Sequence, residues 1–94
     1  MNSTLKSLRA LADPTRLRLM ALLEQEELSV ADLQEITGLG QSRISTHLGQ
    51  LQDAGMVVSR RDGKRSFSRL NTEASEPTRD LMQFRLAVDL IWRY

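Results

Sequence analysis

The chain has 94 residues and no cysteine, with 40% hydrophobic and 27% charged side chains. A single domain (residues 1–94) of this size buries only about 60–65% of the surface exposed by its unfolded form, so a second subunit is a natural extension of the core. A disulfide framework and a thiolate metal site are excluded. No run approaches the roughly 20 apolar residues that span a bilayer. Met1-Asn2-Ser3-Thr4 shows no secretory pattern, so the cytoplasm, without a membrane partner, is the expected location. The net charge of +1 hides a partition: residues 41–69 carry six basic side chains (Arg43, Arg60, Arg61, Lys64, Arg65, Arg69) against Asp53 and Asp62. Positive charge gathered in one segment fits a nucleic-acid footprint or a solvated basic loop.

Leu5, Leu8, Leu11 and Ala12 recur at helical spacing and predict a short first helix. It stops at Asp13-Pro14, where Asp13 can cap a second helix and Pro14 can take its first position without losing a needed N–H. That helix runs to about Glu26, with Leu17, Met20, Ala21 and Glu24 marking successive turns and Leu19, Leu22 and Leu23 widening its apolar face. Ser29-Val30-Ala31-Asp32 has the layout of a capping box and opens a third helix with Val30, Leu33 and Ile36 as its apolar positions. Gly38-Leu39-Gly40 leaves room only for a tight turn before a fourth helix from Gln41 toward Gly55. Two short helices joined by a brief glycine-containing turn are the pattern of a helix-turn-helix.

On a helical wheel, Ile44, Leu48 and Leu51 of the fourth helix fall within about 60° and form a buried stripe. The opposite face holds Ser42, Thr46, Gly49 and Asp53, flanked by Arg43, Ser45 and Gln50. Small hydroxyl side chains disfavour helix interiors, yet they suit a surface that approaches bases closely. Arg43 can pair bidentately with guanine, Gln50 can read adenine, and Ser42, Ser45 and Thr46 can bond bases or phosphates. With Gln41 and His47 these form the candidate recognition face. His47, the only histidine, lies beside the buried stripe and is expected to be packed or phosphate-bonding rather than a pH sensor.

After Gly55 the period changes. Met56–Arg61 and Arg65–Leu70 read as two strands around Asp62-Gly63, a strong hairpin signal. Arg60, Arg61, Lys64 and Arg65 cluster near its tip. Cations placed there would sit on phosphates and give salt-dependent affinity without reading sequence. A last helix opens at Ser75-Glu76-Pro77 or Asn71-Thr72. It carries two apolar faces, one of Leu81, Phe84, Val88, Ile91 and Trp92 and the other of Met82, Leu86 and Leu90. A helix apolar on most sides is buried, so the second face, with Leu5 and Leu8, is expected to meet a second copy of the chain. A symmetric dimer would read an inverted-repeat operator in double-stranded DNA, with half-sites about 34–36 Å apart or a multiple of that.

Three segments in order resemble the ArsR/SmtB family of winged-helix regulators: Leu8-Arg9-Ala10-Leu11-Ala12-Asp13-Pro14-Thr15-Arg16-Leu17-Arg18-Leu19, then Glu27–Leu33, then Gln41–Val57. The resemblance covers roughly residues 5–70. It implies a helical core with a β-wing, dimerisation through the terminal helices, and repression relieved by a ligand. Metal sensors of that family carry cysteines where this chain has Ser29 and Ala31. Their other metal site uses histidine and carboxylates on the final helix, which here has no histidine. Glu76, Asp80 and Asp89 alone are a poor transition-metal set. A variant without a metal site or cofactor is therefore expected, with a non-metal effector near the first and last helices, where Phe84 and Trp92 lie.

The expected fold is mainly α: a winged helix-turn-helix of about five helices plus a two-stranded wing. No catalytic residue is expected. Gly38-Leu39-Gly40 follows no strand, and Gly63-Lys64 lacks the upstream glycine of a phosphate loop. Two other uses of the same fold stay open. One is a DNA-targeting or dimerisation module of a larger protein, as in the methyltransferase fusions known for such domains. The other is a winged helix that contacts only proteins.

Overall fold

The computed structural model describes residues 3–74 and 79–80. Asp13 accepts a hydrogen bond from the Arg16 amide at 3.1 Å and caps α2 (Pro14–Gln25), with Pro14 in its first turn. That cap separates α2 from α1 (Ser3–Leu11). Ser29 caps α3 (Val30–Thr37) through a reciprocal box: its hydroxyl accepts from the Asp32 amide at 3.0 Å, and the Asp32 carboxylate accepts from the Ser29 amide at 3.0 Å. Gly38 ends α3 in the left-handed region, φ +75°. α4 (Gln41–Asp53) follows directly.

α4 closes with a Schellman motif. The Met56 amide donates to the Leu51 carbonyl at 3.0 Å and the Gly55 amide to the Gln52 carbonyl at 2.9 Å, with Gly55 at φ +76°. This binding of Met56 to the helix end explains why the next strand starts one residue later than the sequence predicts, as β2 (Val57–Asp62). β3 (Arg65–Leu70) pairs antiparallel with it, Asp62 opposite Arg65 and Val57 opposite Leu70. The two-residue turn is therefore Gly63-Lys64, not Asp62-Gly63. Gly63 has φ +63° and no non-glycine described residue has positive φ, which is the sign pattern of a type II′ hairpin turn.

Two expectations about the elements need correction. The sheet has three strands, in the order β1-β3-β2, because Leu28–Ser29 forms a short β1 against Ser68 and Phe67. A two-residue strand is too short to show alternation in a sequence. The described residues contain four helices; the expected fifth fell on residues 75–94, of which only Arg79 and Asp80 are described. The alternative start at Asn71-Thr72 is a turn instead, with the Asn71 side chain accepting from the Glu73 amide at 3.0 Å.

The core gathers Leu19, Met20 and Leu23 of α2, Leu33 of α3, Ile44, Leu48 and Leu51 of α4, and Met56 and Val57 at the root of the wing. The α4 stripe is the predicted one. In α2 the inward side is Leu19, Met20 and Leu23, while Glu24 is exposed and Leu17 and Ala21 are half-buried. With apolar residues from Leu17 through Leu23 nearly all round, periodicity could not choose the side. Ile36 was expected inside but is 47% exposed, one step of about 60° around the helix from fully buried Leu33.

Candidate nucleic-acid interface

Burying Ile44, Leu48 and Leu51 turns the other side of α4 outward. Gln41, Ser42, Arg43, Ser45, Thr46 and Gln50 are all exposed, and His47 is half-buried. The wing is braced against this helix from its root. The Gln52 side-chain amide donates to the Ser59 hydroxyl, which shares a 2.9 Å hydrogen bond with buried Ser68 on β3. At the same C-terminal end of α4, the buried Ser7 hydroxyl of α1 lies 3.5 Å from the Ala54 carbonyl.

Between α4 and the wing lies a groove of about 360 Å³. It is lined by Gln41 and Ser45 of α4, by Arg61, Lys64 and Arg65 of the wing, and by Ala31 and Gln34 of α3. Three of the four predicted wing cations thus share a concave surface with Gln41 and Ser45 of the predicted recognition face, whereas Ser42, Arg43, Thr46, His47 and Gln50 do not line it. Arg60 does not. Successive strand residues point to opposite faces, and Arg60 turns toward Glu27, to which its Nε donates at 3.1 Å and its Nη2 at 2.6 Å. Its guanidinium also sits 4.7 Å from the Phe67 ring centroid. The hydrogen bond from Arg60 holds the Glu27 carboxyl below its usual range, and the same pairing raises Arg60.

A second cluster forms around Arg16, which no helical spacing or charge run marks in the sequence. Arg16 reaches from the first turn of α2 to α4. Its Nε donates to the Ala10 carbonyl at 2.6 Å and its Nη2 to the Arg9 carbonyl at 3.0 Å. Its Nη1 donates to the Gln50 side-chain oxygen and lies 3.3 Å from His47 Nδ1. His47 is therefore held by Arg16, and the Gln50 oxygen is not free. Burial pushes the nearby Asp13 carboxyl up, but hydrogen bonds from the Arg16 and Thr15 amides and the charge of Arg16 bring it below the ordinary value.

Ser29 and Ala31 border the wing groove, and the Ser29 hydroxyl is committed to the α3 cap. Among the described residues, no group of three or more histidine, cysteine, aspartate or glutamate side chains is arranged to hold a metal ion. Of the three final-helix carboxylates, only Asp80 is described, and it is exposed. Leu5 and Leu8 on α1 are 42% and 47% exposed. Met82, Leu86, Leu90, Phe84 and Trp92 lie outside the described residues. No described helix is long and apolar enough to cross a membrane.

Four helices carrying a helix-turn-helix and closed by an antiparallel hairpin define a winged helix-turn-helix domain. Residues 13–59 match the family described as "Bacterial regulatory protein, arsR family". The chain belongs to that family. It is 45% identical over 64 residues to the probable mercury resistance operon repressor of Streptomyces lividans, covering 68% of this chain and 51% of that protein. It is 41% identical over 73 residues to the biofilm growth-associated repressor of Xylella fastidiosa, covering 78% of this chain and 63% of that protein. The chain thus spans half to under two thirds of these relatives. A solution structure from Mycobacterium bovis, described as the homodimeric winged helix-turn-helix DNA-binding domain of a possible ArsR-family regulator, superposes with a TM-score of 0.78 at 27% identity. That match covers 97% of this chain and 79% of the other.

Proposed function

We propose that this chain is a sequence-specific, double-stranded-DNA-binding transcriptional repressor that acts as a homodimer in the cytoplasm and is released by a small non-metal effector. The observation that carries the reading is the groove joining Gln41 and Ser45 of α4 to Arg61, Lys64 and Arg65 of the wing. In this reading the exposed face of α4 enters the major groove, where Arg43 reads a base edge. The wing cations lie on the phosphates alongside, and such contacts set register without carrying sequence information. Two relatives are named as repressors, and one structural neighbour is described as homodimeric. Exposed Leu5 and Leu8 supply the α1 part of a subunit interface, with Met82, Leu86 and Leu90 as the expected remainder.

Fluorescence anisotropy with duplexes tiled across the gene's upstream region, repeated over a salt series, tests this directly. Tight binding to one tile that holds an inverted repeat, at a stoichiometry of two chains per site, is the expected result. Absence of binding even at low salt would overturn the DNA reading and favour a wing used for protein contacts.

A further inference from the structure

The Arg16 cluster limits what α4 can recognise. A guanidinium has five N–H donors and no acceptor, so whatever faces it must accept. This settles two orientations that heavy-atom positions alone leave open. The Gln50 amide must turn its oxygen to Arg16 Nη1, and neutral His47 must present a bare Nδ1 to that nitrogen at 3.3 Å, leaving the ring proton on Nε2. The arrangement is held from behind, because Nε and Nη2 are engaged by the Ala10 and Arg9 carbonyls and the Arg16 side chain is only 13% exposed.

Building on the DNA-binding reading above, we infer that Arg16 is a positioning residue that turns the Gln50 amide nitrogen toward DNA, so that Gln50 donates to the acceptor edge of guanine or to a phosphate oxygen and does not pair bidentately with adenine. Bidentate recognition of adenine needs the amide oxygen to accept from N6 while its nitrogen donates to N7. Here the oxygen is turned to Arg16, so the amide nitrogen is the atom presented outward, and its N–H groups would meet the N6 donor beside adenine N7. Guanine offers two acceptors, O6 and N7, in the major groove, and phosphate offers only acceptors. The surroundings favour the same partners: Gln50 opens onto a cleft of about 280 Å³ lined by Lys6, Arg9 and Arg16 against one carboxylate, Asp53.

Site selection from a random duplex pool tests this with the wild type and the Gln50→Ala, Gln50→Glu and Arg16→Met variants. A G·C pair enriched by the wild type and lost in Gln50→Ala supports guanine contact, with discrimination of roughly 5- to 150-fold. Gln50→Glu keeps an acceptor for Arg16 but has no N–H, so it should lose that preference as fully. Arg16→Met frees the amide and should admit A·T at the same position. Equal weakening of all duplexes by Gln50→Ala supports phosphate contact. A Gln50-dependent A·T preference in the wild type, or an Arg16→Met profile identical to wild type, would overturn the inference while leaving the DNA reading intact. Failure of the wild type to enrich any sequence would remove both.

A measurement on the wild type alone guards against misfolding of the Arg16 variant. With one histidine in the chain, long-range ¹⁵N–¹H NMR reports its tautomer without ambiguity. A neutral ring protonated at Nε2 is expected; a proton on Nδ1 would overturn the inference.

Discussion

Neighbours in sequence, Arg60 and Arg61 should behave oppositely when DNA is bound, and the salt dependence of affinity resolves them. On duplex DNA each phosphate contact adds about −0.9 to the slope of log K against log salt. From about 50 to 200 mM salt, one contact therefore costs roughly 3.5-fold in affinity, and the two copies in a dimer roughly 12-fold. Arg61, Lys64 and Arg65 border the groove beside α4, so Lys64→Ala should make the slope shallower by about 0.9 per subunit, with equal effect on cognate and random duplexes. Arg60 is paired with Glu27 at 2.6 Å and stacked on Phe67. Its charge is already balanced on the other face of the wing. Arg60→Ala should leave the slope within error of wild type. Anisotropy titrations at four or five salt concentrations give both slopes. An Arg60→Ala slope as shallow as that of Lys64→Ala would show that the wing contacts DNA through the face assigned here to Glu27, and would refute the placement.

Three further outcomes follow from the fold. Gly55→Ala should cost about 1–2 kcal/mol, because a side chain at φ +76° is strained even though a Cβ there meets nothing within 4 Å. Gly49→Ala, equally unobstructed but inside α4, should raise thermal stability by about 0.5–1 kcal/mol, and thermal unfolding of the pair checks the contrast. Leu33→Ala removes a fully buried side chain and should cost about 2–5 kcal/mol in denaturant unfolding, a large share of what a small domain possesses. Asp13, Glu27 and Asp32 are each held below the ordinary value of a free carboxyl, by hydrogen bonds from the Arg16 amide, the Arg60 guanidinium and the Ser29 amide respectively. Their contribution is therefore present above the ordinary values and lost as pH falls through the lower folded ones. Unfolding midpoints should be level above about pH 5 and drop below about pH 4, with a smaller drop in Asp32→Asn; a rise in stability toward acid pH would contradict the assignment.

Much of the fold was legible because its signals are local. Asp13-Pro14, Ser29 with Asp32, and Gly55 each act within a few residues of themselves, so reading the chain in order finds them. Strand alternation, also local, puts Arg60 and Arg61 on opposite faces, a division that the cluster of four cations at the hairpin tip conceals. It could not reveal that Glu27, 33 residues upstream, waits on one of those faces.

By itself the sequence determined, to within a residue or two, where the four described helices start and stop, which stripe of α4 is buried, and that its outer face and the wing carry the polar and basic groups. Each of these follows from periodicity or from a cap closed by near neighbours. Tertiary structure alone decided the third strand, the inward side of α2 and the pairing of Arg60. It also decided the reach of Arg16 to His47 and Gln50, 31 and 34 residues away. Those contacts depend on which elements the core brings together, and a hydrogen-bond partner so distant along the chain leaves no spacing to read.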